Sequence, residues 1–454
     1  MMIRIHMQLK EDKGVALVTV LLFLVVMAVL STALTLTVQN EMRSSSSYKY
    51  SQQAFYVANA GIQRAIDWFI NSYEVDCSSN PCNDYDKATL PVSYSQSSVV
   101  LAGQTGLSSV YPDQSTITSF TNTFRNVTLQ ANSMNSGVYE VNATLLKHAI
   151  GNFIDLSTFE TRPKAIQRWR IESIGYWGNR DNPLGMAKIT ATIENSGNSL
   201  FDKALWGIDM VDLGGTTLID SYDPRLGLYG GTNIGNNGSV GTNGSVSASN
   251  NVDIFGDVVY YGSASVPDGV IKGGGELIHL TEPRYFPPLP DFSVGSSDVS
   301  VKPGKSQSIS PGKYKDIDVK GTLTFAPGVY YIDSLKVTSN GKIEISDSTT
   351  LYIKSALTLT GQGISNSSLD PTKLTIYYRG TQEAKMTGGS QAYVEVYAPN
   401  APVVLEGNSN FFGTFIGKTV KATGTPDIHF SEGSLNDHLL HRNFRVITWS
   451  QDVY

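Results

Sequence analysis

The sequence predicts an α+β chain: a long N-terminal helix packed on an antiparallel sheet, followed by a mostly β C-terminal domain. Three observations predict it. An uncharged apolar run from Val15 to Val38 passes, without Pro or Gly before Gly61, into a three- and four-residue apolar periodicity that reaches Phe69. Alternating β-rich segments follow, and beyond Leu226 short aliphatic pairs are broken by Gly, Asn, Asp and Ser. At 454 residues the chain is longer than one hydrophobic core usually serves, so at least two folded units and an anchor are expected. The 42 glycines and 23 tyrosines, beside 16% charged residues, favour turn-rich β-structure. A net charge of -6 leaves no basic footprint for phosphate neutralisation, so nucleic acid is set aside as a partner.

The helix is expected over 15–72. Val15 to Val38 reads VALVTVLLFLVVMAVLSTALTLTV; as a helix it spans about 36 Å, enough to cross a hydrocarbon core of about 30 Å. It is longer than the apolar region of a cleaved secretory signal, although Ser31-Thr32-Ala33 mimics a small-residue cleavage site. Arg4, Lys10 and Lys13 outweigh Glu11 and Asp12, which keeps the N-terminus cytoplasmic and sends the rest of the chain outward in a single pass. Phe55, Ala58, Ile62, Ala65, Ile66 and Phe69 make the second half amphipathic. Ala54, Ala58, Gly61 and Ala65 offer a small-residue face that the chain's own sheet, or another subunit's helix, can approach closely.

Cys77 and Cys82 are the two cysteines, and in an exported chain they read as a short disulfide-closed loop. Asp76, Asn83, Asp84 and Asp86 cluster beside them, and Asn179, Asp181 and Asn182 form a second oxygen-rich turn. Hard oxygen donors suit calcium, with Asp76, Asp84 and Asp86 the candidates, but neither patch matches an EF-hand and turns favour Asp and Asn for backbone bonding alone. No other cofactor is expected.

Lys13-Gly14 followed by Val15-Ala-Leu-Val-Thr-Val-Leu-Leu resembles the type III signal of prepilins. With Ala54-Phe-Tyr-Val-Ala-Asn-Ala-Gly-Ile62 it resembles the N-terminal region of PilX-type pilus assembly proteins, though Asn59 stands where that family carries Glu. The resemblance implies a leader over 1–14, cleavage after Gly14 by a prepilin peptidase, and Val15 as the mature N-terminus. It implies an inner-membrane subunit of a type IV pilus whose partners are other pilins and minor pilins, the peptidase, the inner-membrane assembly machinery and membrane lipid, reaching the pilus or cell surface after assembly. Major pilins usually carry Glu at the fifth mature position, where its charge pairs with a neighbour's N-terminal ammonium inside the apolar filament core. Here that position is Thr19. An unpaired charge there is costly, so losing the carboxylate weakens docking beneath another subunit and points to a tip-located or assembly-priming minor subunit. The rivals are a type II secretion pseudopilin, a bitopic protein that never enters a filament, and a secreted carbohydrate-active solenoid.

Residues 73–226 read as a pilin-like α+β domain. Val138 to Lys147, Gln167 to Trp177 and Met186 to Glu194 alternate as antiparallel strands, with Trp68, Trp169, Trp177 and Trp206 as core candidates. Over 227–432, rungs such as Val329-Tyr-Tyr-Ile332, Leu351-Tyr-Ile353 and Leu374-Thr-Ile376 fit a parallel β-solenoid, in which each coil buries its apolar face on the next; the irregular repeat keeps a β-sandwich as the alternative. Residues 433–454 read as a C-terminal tail. No nucleophile elbow or nucleotide fingerprint stands in context, so no enzyme is expected. The carboxylates Asp316, Asp318, Asp333, Glu344, Glu395 and Glu406 read as a solvated face, and His438 and His441 as surface residues of a short terminal helix. Exposed Tyr and Asn on the β-face suit adhesion or glycan contact.

Overall fold

The computed structural model describes residues 13–75, 85–132, 135–360, 363–387, 391–436, 438–440 and 443–453. Helix α1 runs unbroken over Lys13–Asn71, 59 residues or about 88 Å of helix. Among the described residues its first half, from Leu17, packs on nothing else, whereas Ala54, Ala58, Ile62, Ala65 and Phe69 are buried. They pack on a sheet whose strands are β1 (Val100–Ala102), β2 (Val127–Asn132), β3 (Asn135–Ile154), β4 (Thr161–Asn179), β5 (Asn182–Glu194) and β6 (Arg445–Val453). Strands β1, β3, β4, β5 and β6 follow one another across the sheet, with β2 also on β3, and every one of these pairings is antiparallel. Helix α2 (Gln114–Phe124) lies beside α1 and closes the core with Phe120 and Phe124 against Trp68.

The approach of helix to sheet is set by small residues on both sides. A Cβ on Gly175 of β4 would fall 2.4 Å from Ala54 O and Ala58 N, so only glycine lets the strand backbone lie against α1 there. Ala187, Ile189, Ala191 and Ile193 of β5 alternate into the same core with Trp169 and Ile171 of β4. Trp68, Trp169 and Trp177 belong to this core as expected; Trp206 does not, and lies instead at the seam with the second module.

The second module is a three-faced stack of parallel rungs, built in two runs. Leu205–Leu213 and Leu218–Tyr222 begin the first, which climbs by parallel pairing through Val240–Thr242 and Val258–Tyr260 to Leu277–His279. The chain then returns along the stack through 280–298 and starts again at Val299–Val301, climbing rung by rung to Asp427–Ser431. The last coil docks beneath the first, with Phe415 opposite Leu205, Val420 opposite Val211 and Ile428 opposite Ile219. The single interior of both runs is filled by Val, Ile and Leu with Phe325 and Tyr330. Parallel coil-on-coil pairing is the solenoid arrangement rather than a β-sandwich.

Two boundaries differ from the sequence reading. The parallel stack starts at Leu205 instead of 227, because the Gly- and Asn-rich stretch after Leu226 is a loop between two coils. The expected tail is not one: Leu439–Leu440 pairs with β3, and Arg445–Val453 returns to pair with β5. The solenoid is thus inserted into the sheet's sequence after β5, and Leu439–Leu440 and β6 complete the sheet behind it.

Candidate functional site

The surface of the first half of α1 is continuous and apolar, and long enough to cross a membrane. From Leu17 to Val38 every large side chain is 46–68% exposed, and Thr32, Thr35 and Thr37 return their hydroxyls to the carbonyls of Ala28, Ser31 and Ala33. These three threonine hydroxyls are therefore satisfied inside the helix, as a lipid or apolar-bundle environment requires. Thr19 lies on this exposed surface.

At the other end of the sheet, the β3–β4 hairpin docks on the solenoid. Outward side chains on one solenoid face stack in register as Tyr331, Tyr352, Tyr377 and Tyr397, then Ile416 and Trp206. Tyr331 and Tyr352 stack at 5.0 Å and Tyr352 and Tyr377 at 5.1 Å. An added Cβ on Gly241, on the next rung, would sit 2.1 Å from Trp206, so glycine makes room for the indole. The hairpin tip places Phe159 between Tyr377 and Tyr397, and Tyr352 donates its hydroxyl to Phe159 O at 2.9 Å. Burial pushes the Tyr352 and Tyr397 phenols well up, which keeps both as neutral donors.

The returning connector covers the rest of this ladder. Tyr397 donates to Pro287 O, Phe286 lies against Trp206, and Phe292 packs on Tyr331 and Tyr352. Asp291 bridges Lys354 at 3.3 Å and Arg379 at 3.6 Å, and the Lys354 hydrogen bond leads the lowering of its pKa. Arg284 fastens connector to module entry: it pairs with Asp202, donates to Ser199 O at 2.8 Å and Leu200 O at 3.1 Å, and lies over Trp206 and Phe286. The entering and leaving chains are themselves joined, Leu200 N to His438 O and Leu440 N to Asn198 O. The ladder tyrosines are therefore a docking surface rather than an exposed glycan face; their recurrence at about one coil's spacing was the available signal.

The expected site residues are dispersed. Cys77, Cys82, Asp76 and Asp84 lie outside the described residues, as does His441, and of Gly14 and Val15 only the helical backbone is described. Asp86 is exposed and caps its own turn by accepting Ala88 N. Asn179 and Asp181 form the β4–β5 hairpin turn, with Asp181 paired to Arg180. Among the described residues no three His, Cys, Asp or Glu side chains converge as metal ligands would. Asp316, Asp318, Glu344 and Glu406 pair with Lys315, Lys320, Lys342 and Lys385 on the solenoid surface. His438 is not on a surface helix: it is buried, with φ +52°, beside the buried Glu395 at 3.4 Å.

Residues 13–63 match the family described as PilX N-terminal, and residues 335–437 match a domain of unknown function (DUF7305). The crystal structure of the competence-associated pilin ComZ from Thermus thermophilus is similar at 12% identity and a TM-score of 0.28, over 89% of this chain and 98% of that one. No curated protein matches. The N-terminal match lies on a helix that is apolar outside over its first half and docked on an antiparallel sheet over its second, and it supports reading this chain as a pilin-like subunit with a membrane-anchoring helix. Its N-terminal segment is of the PilX type, and the second family covers the later coils of the solenoid.

Proposed function

We propose that this chain is a minor pilin-like subunit that sits at the tip of a type IV pilus or primes its assembly, with the solenoid serving adhesion or contact with a partner. The observation that carries the reading is the placement of the solenoid. It is inserted between β5 and β6 and docks on the β3–β4 hairpin tip, at the opposite end of the sheet from the strand positions that lie over Ala54 and Val57. Its rungs, from Lys313 through Trp206 to Ile278, stack to roughly 43 Å at about 4.8 Å each. A body of that size is hard to repeat along a fibre of closely packed helices and easy to carry at its end. Thr19 agrees, because a terminal subunit has no neighbour above it to pair with.

In this reading a prepilin peptidase cuts after Gly14 on the cytoplasmic side of the inner membrane. Val15 becomes the mature N-terminus, α1 stacks with other pilins in lipid and then in the assembly machinery, and Cys77 and Cys82 join after export. The test is mass-spectrometric N-terminal sequencing from cells with and without the peptidase, together with quantitation in sheared pili. A peptidase-dependent start at Val15, and far fewer copies than the bulk subunit, is the expected result. A start after Ala33, or an uncut N-terminus, overturns the reading.

A further inference from the structure

Strand β6 is the last strand of its sheet, and among the described residues nothing pairs with its outer edge. Folded proteins normally blunt such an edge with lysine, proline, a β-bulge or a very short strand, because its unpaired N–H and C=O groups template further pairing. Arg445–Val453 is nine residues long and contains neither Lys nor Pro. Its one blunting device is a bulge between Val446 and Thr448 with Ile447 as the extra residue, which leaves Thr448–Val453 in unbroken register as an open edge. Val446, Ile447 and Trp449 are 42%, 37% and 41% exposed, so the open backbone is flanked by uncovered apolar side chains.

The position of this edge selects its occupant. Val453 pairs with Ala187, which pairs with Gly175 against Ala54 and Ala58, whereas Arg445 pairs with Glu194 near the level of Trp169 and Phe69. Strand β6 thus runs lengthwise down α1 toward the anchor, and its open edge continues upward from the exposed apolar surface of that helix. A neighbour whose helix packs along α1 is already alongside. Antiparallel pairing of two β6 strands about a two-fold axis would reverse α1, which two copies anchored in one membrane cannot do, and parallel pairing about an axis along the membrane normal would set Arg445 beside Arg445 and Asp452 beside Asp452. Arg445 at the outer end and Asp452 at the membrane end favour an acidic residue late and a basic residue early in an outward-running segment.

We infer that β6 accepts an added β-strand from a different, neighbouring pilin-like subunit, the donor running away from the membrane and extending the sheet antiparallel. This rests on the pilus reading above. The donor's main chain satisfies the open edge, and its alternate side chains cover Val446, Ile447 and Trp449.

The experiment places the photo-crosslinker p-benzoylphenylalanine at Ile447, at Gln451, and at the exposed Tyr261 of the solenoid as control, in the full chain in its own cell membrane. The expected result is an ultraviolet adduct from Ile447 and Gln451, but not Tyr261, to one extended segment of another anchored pilin-like subunit. Peptide mapping should find the Gln451 contact N-terminal to the Ile447 contact. An Ile447→Lys change should lower the Gln451 adduct about tenfold at unchanged protein level and melting temperature, since lysine on an edge blocks pairing. Adducts only to lipid, to a second copy or to a protein without a pilin-type anchor overturn the inference, as does none at all. N-terminal sequencing of the same samples separates the two claims: a Val15 start with no adduct removes the strand acceptor alone, whereas an uncut chain removes both.

Discussion

Phe159 is the side chain through which the hairpin tip holds the solenoid, and its removal should loosen the docking without unfolding either module. The ring is 1% exposed, with centroids 5.3 Å from Tyr377 and 5.8 Å from Tyr397, and its neighbours come from both modules. Truncating a buried Phe to Ala costs about 3–5 kcal/mol. The backbone adds a second, separable effect. Phe159 holds φ +59°, which costs a side-chain-bearing residue roughly 1–2 kcal/mol and glycine almost nothing. Phe159→Ala should therefore weaken docking by about 3–4 kcal/mol, and Phe159→Gly by about 1 kcal/mol less despite losing one more carbon. The reporters are the amides of Leu200 and Leu440, which bond across the entering and leaving chains. If they exchange by undocking, hydrogen exchange in the detergent-solubilised full chain should quicken a hundredfold or more in the alanine variant, and about fivefold less in the glycine variant. Unchanged protection in Phe159→Ala, or faster exchange in the glycine than in the alanine variant, would refute this account of the seam.

Arg284→Met keeps the apolar stem but strips Ser199 O, Leu200 O and Asp202 of their donor, and should cost about 2–3 kcal/mol, read as faster exchange of the main-chain amide of residue 284, which donates to Asn243 Oδ1 where connector meets rung. Gly175→Ala drives a Cβ into the α1 backbone and should cost more than about 3 kcal/mol, seen as protease cleavage between α1 and the sheet at temperatures the parent withstands. Asp113 caps α2 by accepting from Ser115 N and Thr116 N, and Asp113→Ala should cost about 1 kcal/mol. Hydrogen bonds led by the Ser115 hydroxyl hold its carboxyl at about 2, below the unfolded value of 3.8. The cap's contribution is thus complete above the unfolded value and lost as pH falls through the folded one. Exchange at Ile117 should acquire that acid dependence in the parent and lack it in the variant.

Much of this fold was legible because its signals are local. The 3.6-residue periodicity from Phe55 to Phe69 specifies which face of α1 is buried, and alternation over Met186 to Glu194 specifies β5. What was not legible depends on partners far away in sequence. Arg445–Val453 carries no strand partner nearby, since the residue opposite Trp449 is Ala191, so it read as a tail. Leu205–Leu213 looks like any antiparallel strand until Val420 and Val246 are seen on either side of Val211. His438 read as a surface residue because nothing local announces Glu395 beneath it. The PilX-type segment was recognisable for the opposite reason: its constraints lie within one helix.

The insertion makes a further expectation possible, because its two ends meet. Asn198 and Leu440 are hydrogen-bonded backbone to backbone, so residues 199–439 can in principle be replaced by a short linker without moving β5 or β6. The closure entropy of a long insertion grows only as the logarithm of its length, so removing it changes the cost of pairing β6 with β5 by a few kcal/mol at most, in the favourable direction. What the deletion does cost is cover. Ile154 and Phe159 at the hairpin tip lose their solenoid neighbours and face water, so the tip should carry Ile154→Ser and Phe159→Gly to stay soluble. With those changes and a linker of about four residues, the helix-and-sheet unit should keep its amide protection in β3, β4 and β5 and still present β6 as its edge. Loss of protection throughout the sheet would show that the solenoid is part of the sheet's own folding unit rather than a body carried on it.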